Sequence, residues 1–329
     1  MKPFNFNHPD SINSALRHKV SDSQFIAGGT NQLDLMKKHI KTPDTLIDIN
    51  SVLSKTIVSD KKGILLGAAA TNTEVAVHSE IQANFPLVSK AILAGASPQI
   101  RNMATTGGNL LQRTRCPYFY DTASPCNKRK PNSGCSALNG HQRMAGIIGT
   151  SNSCVAVHPS DFCVALVALD AEANIMKSDG SEKIIPFEAF HRLPENQPDK
   201  DNNLPQNAII TSVFIPENKF GQHVSYVKIR ERDSYAFALV SVAAALEVKS
   251  GKIKEARLAS GGVAHKPWRW YKAEDFLKGK MATRENFEEA SKIAASSTKP
   301  LDYNTFKVDL LKGAVVAALL ECISKPSNT

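Results

Sequence analysis

Between Arg101 and Asp161 the chain carries a glycine pair and four of its six cysteines, and the rest of the fold has to accommodate this stretch. It opens with Arg101-Asn102-Met103-Ala104-Thr105-Thr106-Gly107-Gly108-Asn109, where successive glycines remove the Cβ barrier and let backbone amides approach a ligand. A loop follows, holding Cys116, Cys126, Cys135 and Cys154 among Arg113, Arg115, Lys128, Arg129, Lys130 and Arg143. Apolar, helix-like sequence resumes at Asp161. A second glycine pair lies upstream. Gln24-Phe25-Ile26 reads as a strand leading into Ala27-Gly28-Gly29-Thr30-Asn31, and Gln32-Leu33-Asp34-Leu35-Met36-Lys37-Lys38 has helical spacing. The unpaired amides of such a turn converge on one point, a candidate anion cradle. One glycine pair is most simply a tight turn. Two in one half of a chain point towards a bound phosphate or cofactor. Neither pair has the spacing of the Gly-x-Gly-x-x-Gly fingerprint or of the phosphate loop of nucleotide hydrolases, so a Rossmann reading finds no support.

A length of 329 residues favours two domains and leaves room to bury a cofactor. Strand patterns lie at Pro3-Phe6, Thr45-Ile49, Gly63-Ala68 and Ile209-Ile215. Helical patterns lie at Ser11-Leu16, from Thr73, at Pro86-Ala96 and at Phe162-Leu169. Ser160 or Asp161 caps the last of these, with Cys163 in the core. The polar, proline-punctuated residues 193–206 form a loop, and the first domain, 1–217, ends near Glu217. In the second, 222–329, a strand over 225–230 precedes an antiparallel hairpin, 236–248 with 253–260. Helices at 273–277, 284–296 and 305–324 follow, the last with Cys322 on an apolar face.

Forty Lys and Arg against 31 Asp and Glu give a net charge of +9, spread along the chain, which favours anionic ligands. The N-terminus has no apolar core or small-residue cleavage site, so the sequence by itself predicts a cytoplasmic location. No apolar run approaches the ~20 residues of a membrane span. The cysteines allow three readings. Disulfides suit an exported chain, whereas this one favours reduced thiols. Structural zinc draws on close-spaced pairs, and no Cys-x-x-Cys occurs. A 4Fe-4S cluster takes four thiolates at spacings set by the local loop, and its negative charge suits the six cations nearby. A basic zinc protein binding nucleic acid is the rival of a different class. A free-standing flavin oxidase is another.

Ala27-Gly28-Gly29-Thr30-Asn31-Gln32 and Ala104-Thr105-Thr106-Gly107-Gly108-Asn109 resemble the two pyrophosphate loops of the FAD-binding medium subunits of the xanthine dehydrogenase (molybdenum hydroxylase) family. His158-Pro159-Ser160-Asp161 matches the family segment that follows the second loop, displaced by a cysteine-rich insertion at about 113–156. Arg113-Thr114-Arg115-Cys116-Pro117-Tyr118-Phe119-Tyr120 resembles the insertion of bacterial aldehyde oxidoreductases more than that of 4-hydroxybenzoyl-CoA reductase, which is the alternative. Tyr226-Val227-Lys228-Ile229-Arg230 and Gly261-Gly262-Val263-Ala264-His265-Lys266-Pro267-Trp268 extend the match through the second domain. The resemblance implies an α+β chain: a two-subdomain FAD-binding fold of the PCMH/vanillyl-alcohol-oxidase type, then a smaller α+β domain of the CO dehydrogenase flavoprotein C-terminal type. It also implies that Ala27, Gly28, Gly29, Thr30, Asn31, Gln32, Thr105, Thr106, Gly107, Gly108 and Asn109 hold the FAD diphosphate. Asp161 would meet the ribityl hydroxyls and Lys228 the flavin, while Cys116, Cys126, Cys135 and Cys154 ligate a 4Fe-4S cluster. Partners would be a large subunit with molybdenum cofactor and a small subunit with 2Fe-2S clusters. A signal-bearing partner would make the location periplasmic.

Overall fold

Backbone pairing in the computed structural model, described over residues 1–324, builds three sheets. In the first, β1 (Asn5–Asn7), β2 (Ser23–Ile26) and β3 (Thr45–Asp48) run parallel in the order β1-β3-β2. Parallel neighbours need crossovers. These contain the helices Ile12–His18, opened by the Ser11 side chain accepting from the Ser14 amide, and Gln32–Lys37. The second sheet is antiparallel and comprises β4 (Ile57–Asp60), β5 (Gly63–Gly67), β6 (Glu172–Met176), β7 (Glu182–Pro186) and β8 (Ile209–Pro216). Its order is β4-β5-β8-β6-β7. The expected strand at Ile209 is therefore central.

The third sheet contains β9 (Val224–Ile229), β10 (Val240–Lys249), β11 (Lys252–Gly261) and β12 (Trp268–Arg269), in the order β12-β11-β10-β9. The expected hairpin is β10 with β11. Both faces of β10 are covered, which explains its apolar run from Val242 to Leu246. Ala243 and Ala245 join the core of the first domain, while Val242, Ala244 and Leu246 face the helices Arg284–Ala295 and Phe306–Ile323. The small alanines leave space for the buried helix Asp161–Ala168, whose N-cap is Ser160. Arg269 bridges the halves, donating to Asp170 at 2.7 Å, to Glu274 and to the Val167 carbonyl at 3.0 Å. Cys163 and Cys322 are buried, as expected of core thiols. Residues 325–329 of the expected second domain lie outside the described residues.

Residues 113–156 leave the first domain between the short helix Thr106–Leu110 and Ser160. A buried ion group fastens this excursion. Asp201 accepts from Arg113 Nε at 2.7 Å and from Lys128 Nζ, which also donates to the Pro198 carbonyl at 2.8 Å. The loop 193–206, expected as a polar connector, thus supplies a buried counter-ion. Burial would raise the Asp201 carboxyl, but Lys128 and Arg113 outweigh it and hold it well below the usual carboxylate range. His158, His191 and His265 are buried beside this group. His191 Nε2 donates to the Leu110 carbonyl and His265 Nδ1 to the Arg192 carbonyl, each at 2.9 Å. Burial pushes both imidazoles down to about 4.

These rings are neutral in the fold and take up protons near pH 6.5 once unfolded. The unfolded chain therefore binds more protons between about pH 4 and 6.5. The stability each neutral ring provides, on the order of 3 kcal/mol, is complete above pH 6.5 and is lost as pH falls towards 4. The thermal midpoint should drop across that window. His191→Gln keeps a donor for the Leu110 carbonyl without the titration, and should shrink the drop; equal drops in both proteins would contradict this account.

Candidate cofactor cleft and thiol cage

A cleft of about 1430 Å³ is bordered by both glycine loops, by residues 199–210 and by Lys228 of β9. The two loops contribute differently. Among the described residues, the amides of Gly28, Gly29, Thr30, Asn31 and Gln32 donate to no other protein group, so they remain free for a ligand. Gly29 has φ +70°, a conformation that glycine adopts without strain. Gln32 lines the cleft with a buried side-chain nitrogen that has no partner. A buried orphan donor beside free amides suits an anionic oxygen. Half-buried cations add to this, and Arg101, Arg113, Arg115, Arg192, Lys41 and Lys228 all line the same cleft. The arrangement can hold a diphosphate.

The second loop differs from the expectation that its amides point at a ligand. The Thr106 and Gly107 amides donate to the carbonyls of Ala70 and Ala68, the Gly108 amide to Thr105 Oγ1, and the Asn109 amide to the Thr105 carbonyl. Thr106 is fully buried and its hydroxyl donates to the Ala70 carbonyl. Thr105, Gly107, Gly108 and Asn109 line the cleft; Thr106 does not. The glycines serve packing as much as ligand approach. A Cβ on Gly28 would lie 1.8 Å from the Met103 carbonyl oxygen, so the two loops stand back to back. A Cβ on Gly107 would crowd Ala68 at 3.2 Å.

Asp161 and Lys228, 67 residues apart, form an ion pair of 2.7 Å at the cleft. The other Asp161 oxygen accepts from the Tyr226 hydroxyl at 2.8 Å. Burial, then the Asp161 charge, holds the Tyr226 phenol well above its ordinary value, so it stays a donor. Lys228 Nζ also donates to the Ala94 carbonyl at 3.0 Å, at the end of the helix Pro86–Ala94. Sequence reasoning assigned no role to Tyr226. Its position two residues before Lys228 on a strand, hence on the same face, was the available signal.

The four loop cysteines line one small cavity, and all are free thiols. An antiparallel bridge sets Cys126 beside Cys135, and a tight bridge from Ser151 presents Cys154. Asn127 Nδ2 ties the two arms by donating to the Ser153 carbonyl at 3.0 Å. Burial raises the Cys116 thiol, against the Phe119 and Tyr118 amides that face its sulfur. Burial likewise pushes Cys154 up to about 12, with Lys128 pulling the other way. Burial thus favours the protonated form of Cys116 and Cys154, and a cationic iron or zinc centre would displace those protons.

A family model described as the FAD binding domain in molybdopterin dehydrogenase matches residues 2–218, and the CO dehydrogenase flavoprotein C-terminal domain matches 225–322. The chain belongs to the FAD-binding subunits of the molybdenum hydroxylases. It is 43% identical over 325 residues to the aldehyde oxidoreductase FAD-binding subunit PaoB of Escherichia coli strain K12, covering 98% of each chain. The glyceraldehyde dehydrogenase medium chain of Sulfolobus acidocaldarius is 24% identical over 91% of this chain and 90% of its own. The carbon monoxide dehydrogenase of Hydrogenophaga pseudoflava contains a chain that superposes with a TM-score of 0.75 at 22% identity, covering 97% of both. As in that family, this chain is an oxidoreductase subunit that binds FAD, and its fold is the expected FAD-binding domain followed by the CO dehydrogenase-type domain.

Gly28→Ala should force Met103 and the first loop apart, costing roughly 1–3 kcal/mol and most of the bound FAD. Gly313→Ala, where a Cβ meets open space in a helix, should leave FAD unchanged. Flavin content per chain and the thermal midpoint test both, and full FAD in Gly28→Ala would contradict the back-to-back packing.

Proposed function

We propose that this chain is the electron-transfer flavoprotein subunit of a molybdenum-containing aldehyde oxidoreductase and carries a 4Fe-4S cluster of its own. The observation that carries the proposal is the convergence of Cys116, Cys126, Cys135 and Cys154 on one cavity in the same chain as the cleft. Identity of 43% to a subunit named for aldehyde oxidation supports the substrate class. The free amides from Gly28 to Gln32 hold the FAD diphosphate, with Ala27, Thr105, Gly107, Gly108 and Asn109 completing the wall. Thr106 supports the second loop from behind. Asp161 and Lys228 meet the ribityl chain and the ring as a preformed pair, so neither has to be desolvated when the cofactor enters.

When bound, the flavin accepts electrons singly and releases them to an external acceptor. The protein fixes its position, its electrostatic surroundings and its access to water. Electrons come from 2Fe-2S clusters on a small partner subunit, which are reduced at the molybdenum cofactor of a large one. The complex works in the cytoplasm unless a signal-bearing partner takes it to the periplasm. Within the cage, the Phe119 and Tyr118 amides and the buried Lys128 offset the negative charge of a thiolate-ligated cluster.

Cys126→Ser tests the assignment by separate assays of iron and flavin in the purified complex. Iron should fall by about four atoms per chain while FAD is largely kept. Unchanged iron, or zinc in its place, would contradict the cluster.

A further inference from the structure

A second cavity of about 260 Å³ lies where the cysteine excursion, the cleft and the C-terminal domain meet. Its walls are mainly apolar. Met144 and Val157 come from the excursion and its return, and Phe237 and Ala238 from the segment before β10. It shares Arg115, Asp161 and Phe237 with the large cleft, and Cys116 of the thiol cage also lines it. His141, Glu231 and Phe237 are exposed on its border, so a small molecule can reach it. Without residues 113–156, one wall would be missing.

Arg115 is the polar group that selects the occupant. Its guanidinium lies 5.1 Å from the Phe237 ring centroid, and one nitrogen is held by the Arg113 carbonyl. Among the described residues no carboxylate forms an ion pair with it, unlike Arg113 and Arg269. A half-buried cation with no paired carboxylate favours a ligand that brings an acceptor oxygen or gains negative charge there. The small volume is unsuited to a dinucleotide, which needs a cleft like the larger one. The apolar walls suit a flat ring with few polar atoms.

We propose that this cavity binds a small quinone as the electron acceptor, its ring between Val157 and Phe237 and a carbonyl oxygen on Arg115. The proposal rests on the flavoprotein reading above. Two electrons and two protons pass from reduced FAD to the quinone: two N–H bonds break on the flavin and two O–H bonds form on the quinone oxygens. The products are oxidised FAD and hydroquinone. Arg115 stabilises the negative charge that builds on the carbonyl as electrons arrive.

Equilibrium dialysis of 2-methyl-1,4-naphthoquinone against the oxidised complex, purified with its partner subunits, is the test. One saturable site per FAD is expected. Val157→Phe fills the cavity from one wall and Ala238→Leu from another, and each should weaken binding at least tenfold with FAD and iron per chain unchanged. Arg115→Met should weaken it as well. Full FAD without saturable quinone binding overturns the proposal, as does wild-type affinity in both filled variants. Displacement of the quinone by NAD⁺ would overturn the acceptor class. A variant that loses FAD is set aside, and the wild-type titration with the remaining variants decides. A wild-type complex without FAD overturns the flavoprotein reading itself, and this proposal with it.

Discussion

One buried carboxylate holds the two halves of the cleft together. Asp161 stands at the N-terminus of a helix in the first domain, where the helix dipole favours negative charge. Its partners, the Lys228 ammonium and the Tyr226 hydroxyl, both come from β9 of the C-terminal sheet. Removing one member of such a pair leaves a buried charge uncompensated and costs roughly 3–5 kcal/mol. The C-terminal sheet therefore cannot lift away without exposing or orphaning that charge. Lys228 also closes the end of the helix Pro86–Ala94, so three elements are fixed at one wall of the cleft.

The cleft and the thiol cage are joined as well. The Arg113 amide donates to Asn31 Oδ1 at 2.9 Å, linking the first glycine loop to the start of the excursion. The Arg113 side chain meets Lys128 at Asp201, and Lys128 lies two residues beyond Cys126. Asn31, Arg113 and the loop that carries Asp201 therefore form a continuous set of contacts from the cage to the cleft. The position of the thiol cage relative to the cleft thus follows from packing rather than from a tether.

Much of this fold could be read locally. Ser11 announces its helix, and the alternation from Ser225 announces β9. The alanine-rich run before Val248 is a strand because helices cover both of its faces. The strands β4 and β7 escaped notice because they are edge strands with mostly exposed residues and little periodic signal. The strand β6 is masked by the buried helix just before it. At the site, the residue types were legible: the glycine pairs, the four thiols, Asp161 and Lys228. Their pairings were not. Nothing in the sequence around Gly28 says that Met103 presses against it, and nothing around Asp201 says that a polar loop buries a counter-ion for Arg113 and Lys128. Those contacts join residues far apart in the chain and arise only from packing.

The central claim is that one chain grips a flavin diphosphate on the free amides of its first glycine loop and an iron cluster in its excursion. Diffraction from crystals of the intact complex, recorded above and below the iron absorption edge, tests it most directly. The account predicts an iron anomalous peak enclosed by Cys116, Cys126, Cys135 and Cys154, with FAD phosphates within hydrogen-bond reach of the amides from Gly28 to Gln32. A cage without iron, or a diphosphate bound away from that loop, would contradict it.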